Sequence, residues 1–407
     1  MLNDLWLIIS GILVIIGLVA SQGLLLVIGS LVIIVWLLTR VWDRYAFRRV
    51  THSRRLSRHR AFIGDSLEYT VTLSNDKLLP LIWVDIEDTF PVGLELAGAN
   101  LRPYSSEGTQ QHNITASLLP YQQVTWKYTL RCKARGYHRI GPVRLRSGDI
   151  FGFGSAETRF PEADYLLVYP RIVDLQKLVL PAAHPLGAAR GPQPLRRDTS
   201  RYLGQRDYQP TDPMKHIDWK ATARVQRLQT KLFEPVVSHN ILVALNAATS
   251  EHPWEPSNRR LFERAVTVAA SVANDAAGRG WSFGLVSNAV ATYSGKWLSV
   301  PLGASASQLP LVLEALAMAG PYVLAPLLEV LRSARDALPP GATLVLVSSV
   351  VTEALAQEIV EMKARGYLVL VLYTGDGLPR LKLPRVPVYP VGQSVDLQEE
   401  HEPILAD

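Results

Sequence analysis

Residues 5–38 carry no charged side chain at any of 34 positions, and the run is broken only at its midpoint, by Ser21-Gln22-Gly23. A single straight helix of that length would measure about 50 Å at 1.5 Å per residue, against a hydrocarbon core of about 30 Å. The polar, helix-weakening midpoint leaves two apolar segments of roughly 16 residues each, which predicts a two-helix transmembrane hairpin over residues 1–40. One long tilted helix is the competing reading. A signal peptide fits poorly, because Asp4 is the only charged side chain before Leu5 and a second apolar run follows at once.

The period then changes twice. Leu67-Glu68-Tyr69-Thr70-Val71-Thr72-Leu73 alternates apolar and polar, as do Val124, Trp126, Tyr128, Leu130 and Cys132 against Thr125, Lys127, Thr129 and Arg131. Period-two runs punctuated by Pro, Gly and Asn predict an antiparallel, immunoglobulin-like β-sandwich over 61–172, with Cys132 in its core. From Asn240 the strands become wholly apolar, beginning with Ile241–Leu245, and they alternate with helical texture. Asn258 or Ser257 caps a helix ending near Gly278, followed by a strand at 281–286, helices at 309–318 and 324–338, a strand at 343–347, a helix at 353–365 and a strand at 367–373. That order predicts an α/β doubly wound, Rossmann-type domain over 235–396. Residues 173–234 form a Pro- and Gly-rich bridge expected to be irregular, and 397–407 an acidic tail.

Charge adds an orientation. Eight arginines lie between residues 40 and 60, with Asp43 as the one acid among them. Lys and Arg beside a membrane helix stay on the cytoplasmic side, so 41–60 reads as a basic juxtamembrane segment and both termini face the cytoplasm of an inner, cytoplasmic membrane. Arg40, Arg44, Arg48, Arg49, Arg54 and Arg55 are expected to face anionic lipid headgroups. Residues 1–60 hold eight basic and two acidic groups and thus the whole net charge of +6; the remainder is balanced, which argues against nucleic acid as a partner. A lone cysteine fits a reducing compartment and excludes both an intramolecular disulfide and a cysteine zinc site.

The bridge carries the densest chemistry: Arg201-Tyr202-Leu203-Gly204-Gln205-Arg206-Asp207-Tyr208-Gln209-Pro210-Thr211-Asp212-Pro213-Met214-Lys215-His216-Ile217-Asp218-Trp219-Lys220-Ala221-Thr222-Ala223-Arg224. Three readings stay open. Arg201, Asp207, Tyr208, Asp212, Lys215, Asp218, Trp219 and Arg224 form a docking surface or anion pocket; or the charges are a salt-bridged clamp with Trp219 as its buried apolar anchor; or Asp218 and His216 do acid/base work. No nucleophile elbow, phosphate-cradling glycine loop or His/Cys/Asp metal spacing accompanies them.

This stretch resembles the signature of the bacterial and archaeal "domain of unknown function fifty-eight" family, and Arg135-Gly136-Tyr137, Gly141-Pro142 and Asp149-Ile150-Phe151-Gly152 resemble its preceding β-domain. The resemblance implies membrane helices, a β-domain, the signature and a von Willebrand factor A-like domain. It also implies a MoxR-type AAA+ ATPase as partner. Von Willebrand A domains often hold Mg2+ through an Asp-x-Ser-x-Ser loop and a second Asp. Here the corresponding residues are Asn246, Ala248, Ser250 and Ser349, which lack both carboxylates, so no metal and no cofactor are expected. The expected function is a membrane-anchored, non-enzymatic adaptor acting in assembly or maturation of another complex. A hydrolase or transferase using the acidic and basic groups of 201–224 is the alternative.

Overall fold

A computed structural model describes residues 2–395 apart from 100, 105–107, 150, 151, 153, 175–195, 210–213, 237–239, 253, 254, 293, 378, 380–382 and 393; for 2–6, 196–203, 215 and 232–236 it describes the backbone alone. The chain divides into two compact units, Met1–Tyr169 and Pro170–Asp407.

The first unit opens with α1 (Leu2–Val19) and α2 (Gly23–Tyr45). Their close approach depends on glycine: a Cβ on Gly29 would lie 2.6 Å from a Val14 methyl and 3.1 Å from the Ser10 carbonyl. Among the described residues α2 is the one helix long and apolar enough to cross a membrane, and the apolar part of α1, Leu7–Val19, is shorter. Only 11% of the apolar window of α2 is buried, unlike the core helix of a soluble protein.

Beyond α2 come strands β1 (Val50–Leu56), β2 (Arg60–Phe62), β3 (Ser66–Asn75), β4 (Leu81–Pro91), β5 (Leu94–Ala97) and β6 (Leu101–Pro103). They continue as β7 (Thr109–Leu118), β8 (Gln123–Cys132), β9 (Gly136–Ile140), β10 (Val143–Gly148), β11 (Ser155–Phe160) and β12 (Asp164–Tyr169). These form sheets of order β1-β3-β8-β5, β11-β10-β4-β7-β6 and β2-β12-β9. Alternation fixes the register: Tyr69, Val71 and Leu73 of β3 point inward, and Leu130 and Cys132 join them from β8. Burial pushes the Cys132 thiol up to about 11.

The residues expected to form a separate basic segment belong to this unit. Trp42 and Ala46 at the end of α2 are buried with Val50, Leu73, Leu81, Val84 and Ile86, and β1 pairs along its length with β3. The helix that would leave the membrane therefore runs straight into the β core.

In the second unit β13 (Arg196–Asp207) pairs with β14 (Gln229–Val236), enclosing a 3-10 turn at Met214–His216 and a short helix, α3 (Trp219–Val225). Over its described residues from 196 onward, the bridge thus forms regular elements where it was expected to be irregular. The α/β layer follows: β15 (Asn240–Leu245), α4 (Arg259–Gly278), β16 (Ser282–Ala291), β17 (Trp297–Gly303), α5 (Gln308–Ala317) and β18 (Ala319–Val323). Then come α6 (Leu327–Arg335), β19 (Thr343–Ser348), α7 (Glu353–Ala364), β20 (Leu368–Tyr373) and β21 (Val388–Pro390). The sheet order is β17-β16-β15-β19-β20-β21; β16, β15, β19, β20 and β21 run parallel, and β17 is an antiparallel edge. Leu242, Ala244, Leu344 and Leu346 pack against α6 and α7, while Val243, Leu245, Val345 and Val347 are buried as well, so both faces are covered.

Candidate interaction surfaces

At the carboxyl end of the parallel strands, Asn246, Ala248, Ser250 and Ser349 lie on the loops after β15 and β19, and Ser250 and Ser349 line a crevice there together with Tyr373 and Gly375. Such crevices are where open α/β sheets bind ligands. The Asn246 amide nitrogen donates to Ser348 Oγ (2.9 Å) and the Val350 carbonyl (3.3 Å). Its oxygen accepts from the Ala248 amide (3.1 Å) and from Asn288 Nδ2 (3.2 Å). Asn288, which sequence reasoning missed, also donates to the Ala325 carbonyl and accepts from the Ala247 amide. The network is neutral, buried and internally satisfied, so Asn246 has no lone pair left for a cation. Ser349 is likewise engaged with Thr374, and Ser250 donates to Glu255. Ala248 offers only its backbone.

Beside this network lies a cavity of about 400 Å3 whose rim includes Glu251, Glu255, Tyr373 and Asp376. Both Asp376 oxygens are taken, Oδ1 by the buried Arg264 (3.0 Å) and Oδ2 by Arg260 (2.6 Å). Among the described residues, no group of three or more His, Cys, Asp or Glu is placed to hold a metal. Hard divalent cations need carboxylate oxygens, and the residues present do not fit one. Accordingly, millimolar Mg2+ or Mn2+ should leave the melting temperature of the detergent-solubilised protein unchanged. A micromolar site would add about 4 kcal/mol at 1 mM, so a shift of several degrees that Ser250→Ala removes would refute this.

The signature is positioned by its own local chemistry. Ile217 is buried and bridges to Thr230, which aligns the turn with β14. Asp218 is the N-cap of α3: Oδ1 accepts from the Lys220 and Ala221 amides, both at 3.1 Å. Gln226 ends the helix in the left-handed conformation, and Thr222 Oγ1 accepts from the Gln229 amide (3.0 Å), closing the module. Asp207 accepts from Gln229 Nε2 at 2.5 Å, and the Tyr208 amide donates to the Leu228 carbonyl. Asp218 thus serves, through Oδ1, as the cap that starts α3.

One expectation is overturned here. Trp219 is not a buried anchor: it is 68% exposed, and Ala221 takes the inward position. The cause is helical phase. Ala221 and Thr222 face β14, which turns Trp219, Lys220, Ala223 and Arg224 outward. Asp212 lies outside the described residues, as do the side chains of Arg201 and Lys215.

Of the arginines expected at a lipid surface, Arg40, Arg44, Arg48, Arg49 and Arg55 are exposed, and Arg48 lies over the Tyr45 ring. Arg54 is not one of them. Its side chain is 4% exposed, with Nη1 3.1 Å from Asp88, Nε 3.1 Å from Asp164 and Nη2 donating to the Glu162 carbonyl. Tyr69 donates to the other Asp88 oxygen at 2.5 Å. Burial outweighs these contacts and pushes the Asp88 carboxyl up to about 6. Gly141 makes room for the guanidinium, since a Cβ there would sit 2.5 Å from Nη1 and its φ of 101° suits only glycine. In the Asp149 motif, Asp149 accepts from Thr39 of α2 (2.7 Å) and from the Gly154 amide (3.0 Å), which ties α2 to the β sheets.

Residues 204–383 match the family described as "Protein of unknown function DUF58". A stretch of 246 residues is 30% identical to the uncharacterized protein YeaD of Bacillus subtilis (strain 168), taking in 60% of this chain and 57% of that protein's length. Among solved structures, a CARDB domain from Pyrococcus furiosus is 13% identical over 29% of this chain and 91% of its own, with a TM-score of 0.19. The major pilin SpaD from Corynebacterium diphtheriae is 7% identical over 28% of this chain and 35% of its own, with a TM-score of 0.22. Likenesses this slight say nothing about function.

Proposed function

Because the chain belongs to the DUF58 family through residues 204–383, we propose that it is a membrane-anchored, non-enzymatic adaptor whose docking face is the outward side of α3. In this reading α1 and α2 form the transmembrane hairpin. The β-unit and a von Willebrand A-like domain then stand in the cytoplasm, and the cation site of that domain is replaced by the neutral Asn246–Asn288–Ser348 network. The observation that carries the proposal is Trp219, exposed on a helix whose capping and packing are complete without it. Trp and Arg dominate the energetic centres of protein interfaces, and an indole facing water beside Lys220 and Arg224 is costly unless something covers it. A partner of the AAA+ ATPase class is what the family resemblance suggests, with the pair acting on the assembly of a further complex.

The test is capture from detergent-solubilised membranes. Trp219→Ala should leave the unfolding free energy within about 0.5 kcal/mol of wild type while weakening capture by roughly 30-fold, the effect of a 2 kcal/mol hot spot. A large loss of stability would instead restore the clamp reading. Orientation is tested separately. A reporter fused after Asp407 should fluoresce as green fluorescent protein and be silent as alkaline phosphatase; the reverse pattern would put the domains outside and remove a cytoplasmic ATPase as partner.

A further inference from the structure

Among the described residues, no hydrogen bond or ion pair engages the side chains on the outward face of α3. Trp219, Ala223, Lys220 and Arg224 fall within about 140° of the helix circumference at 100° per residue, and Arg227 and Leu228 follow the left-handed Gln226 cap. Lys220, Arg224 and Arg227 are exposed and form no ion pair with any described residue. Met214, Trp219, Val225 and Leu228 are exposed beside them. The surface is thus cationic and apolar at once, and its complement is a segment both acidic and apolar.

The same unit carries such a segment. Residues 396–407, outside the described residues, read Asp-Leu-Gln-Glu-Glu-His-Glu-Pro-Ile-Leu-Ala-Asp, with five carboxylates, no Lys or Arg, and apolar Leu397, Ile404 and Leu405. Val395, the last described residue, is buried in the α/β unit. Twelve residues beyond it can extend to roughly 40 Å, comparable to the width of a domain of this size.

We propose that this acidic tail is the occupant of the α3 face. Its carboxylates lie against Lys220, Arg224 and Arg227, and its apolar residues cover Trp219. The inference rests on the docking reading above and adds regulation to it. A tethered competitor acts at millimolar effective concentration, so a partner must displace the tail before it can bind. Because the contact is largely ionic between exposed groups, it weakens with salt.

The experiment uses the full chain in detergent micelles and in phosphatidylcholine/phosphatidylglycerol nanodiscs, with a benzophenone amino acid in place of Ala223. Irradiation should link position 223 to residues 396–407 of the same chain, in a yield that does not change over a hundredfold dilution. Glu399→Lys, Glu400→Lys and Glu402→Lys together should abolish the link and raise partner capture on the order of tenfold. Combining them with Lys220→Glu, Arg224→Glu and Arg227→Glu should restore the link. Crosslinks to lipid, crosslinks between chains that fade on dilution, or a link indifferent to charge reversal would each overturn the proposal. Failure of the two readings is distinguishable. Capture lost in Trp219→Ala with no tail link leaves the docking face and removes the tail; a tail link with capture unchanged in Trp219→Ala removes the docking face as the partner's site.

Discussion

Replacing Arg54 by alanine is expected to destabilise the first unit by about 3–5 kcal/mol at pH 8, as breaking a buried ion pair from one side does. The melting temperature of that unit should fall by roughly 10 °C. The guanidinium contacts Asp88, Asp164 and the Glu162 carbonyl from a nearly fully buried position, and without it the Asp88 carboxylate keeps only the Tyr69 hydroxyl and nearby backbone. The deficit should depend on pH with a definite sign. Asp88 already has a folded-state value near 6, above the ordinary carboxylate value of about 3.9, so its contribution is fully present below the ordinary value and is lost as pH rises through 6. Removing Arg54 raises the folded value further. At pH 5 the carboxyl is protonated in both proteins and their difference is small in this respect; at pH 8 the variant bears the full cost of a stranded charge. Melts at the two pH values check this. His52, lowered to about 4 by burial and secondarily by the Arg54 charge beside it, moves back upward in the variant, which narrows the deficit at pH 5 in the same direction. A deficit equal at pH 5 and pH 8 would mean that packing, not charge, is what Arg54 supplies, and a deficit below 1 kcal/mol would remove it from the core.

Arg54 also shows where sequence reading ran out. In a run of eight arginines each looks alike, and a basic segment after an apolar helix reads as facing lipid. What separates Arg54 from Arg55 is strand phase in β1 together with Asp88, Asp164 and Gly141, which are 34 to 110 positions away. Nothing local reveals such a partner. By contrast, the α/β strands and the helix from Asn258 to Gly278 were legible, because a wholly apolar pentad and a capping side chain are local signals. The ladder of β13 and β14 was hidden for another reason. Its register shifts between Arg197 and Tyr202 and again before Gly204, and this irregularity blurs the period-two pattern. Trp219 misled through residue type. A tryptophan among charges suggests an anchor, but the cap at Asp218 sets the phase of α3, and phase rather than hydrophobicity decided which side chain went inside.

Asn288→Ala should cost the second unit about 3–5 kcal/mol, because it removes one side chain that satisfies three buried groups. The Ala247 amide loses its acceptor and the Ala325 carbonyl its donor, each at roughly 1–3 kcal/mol, and Asn246 Oδ1 keeps only the Ala248 amide. Asn288→Asp should be nearly as harmful, since a carboxylate still accepts from the Ala247 amide but presents an oxygen to the Ala325 carbonyl and to Asn246 Oδ1. Asn246→Asp is the more informative change. It restores the carboxylate that a cation site would need, at the expense of donors to Ser348 and Val350. If the crevice is a closed polar core, Asn246→Asp is destabilised and millimolar Mg2+ fails to rescue it, because Ala248 and Ser349 supply no second carboxylate. Rescue by Mg2+ to wild-type stability would show that one substitution separates this crevice from a working metal centre, and the neutral network would then be a recent loss rather than the basis of binding at another face. Thermal melts of the three variants with and without Mg2+ decide between these outcomes, and the decision bears on the adaptor reading directly: a closed network of Asn246, Asn288 and Ser348 means that cation binding is not what this end of the sheet contributes, whereas Trp219 on α3 stands exposed to a partner.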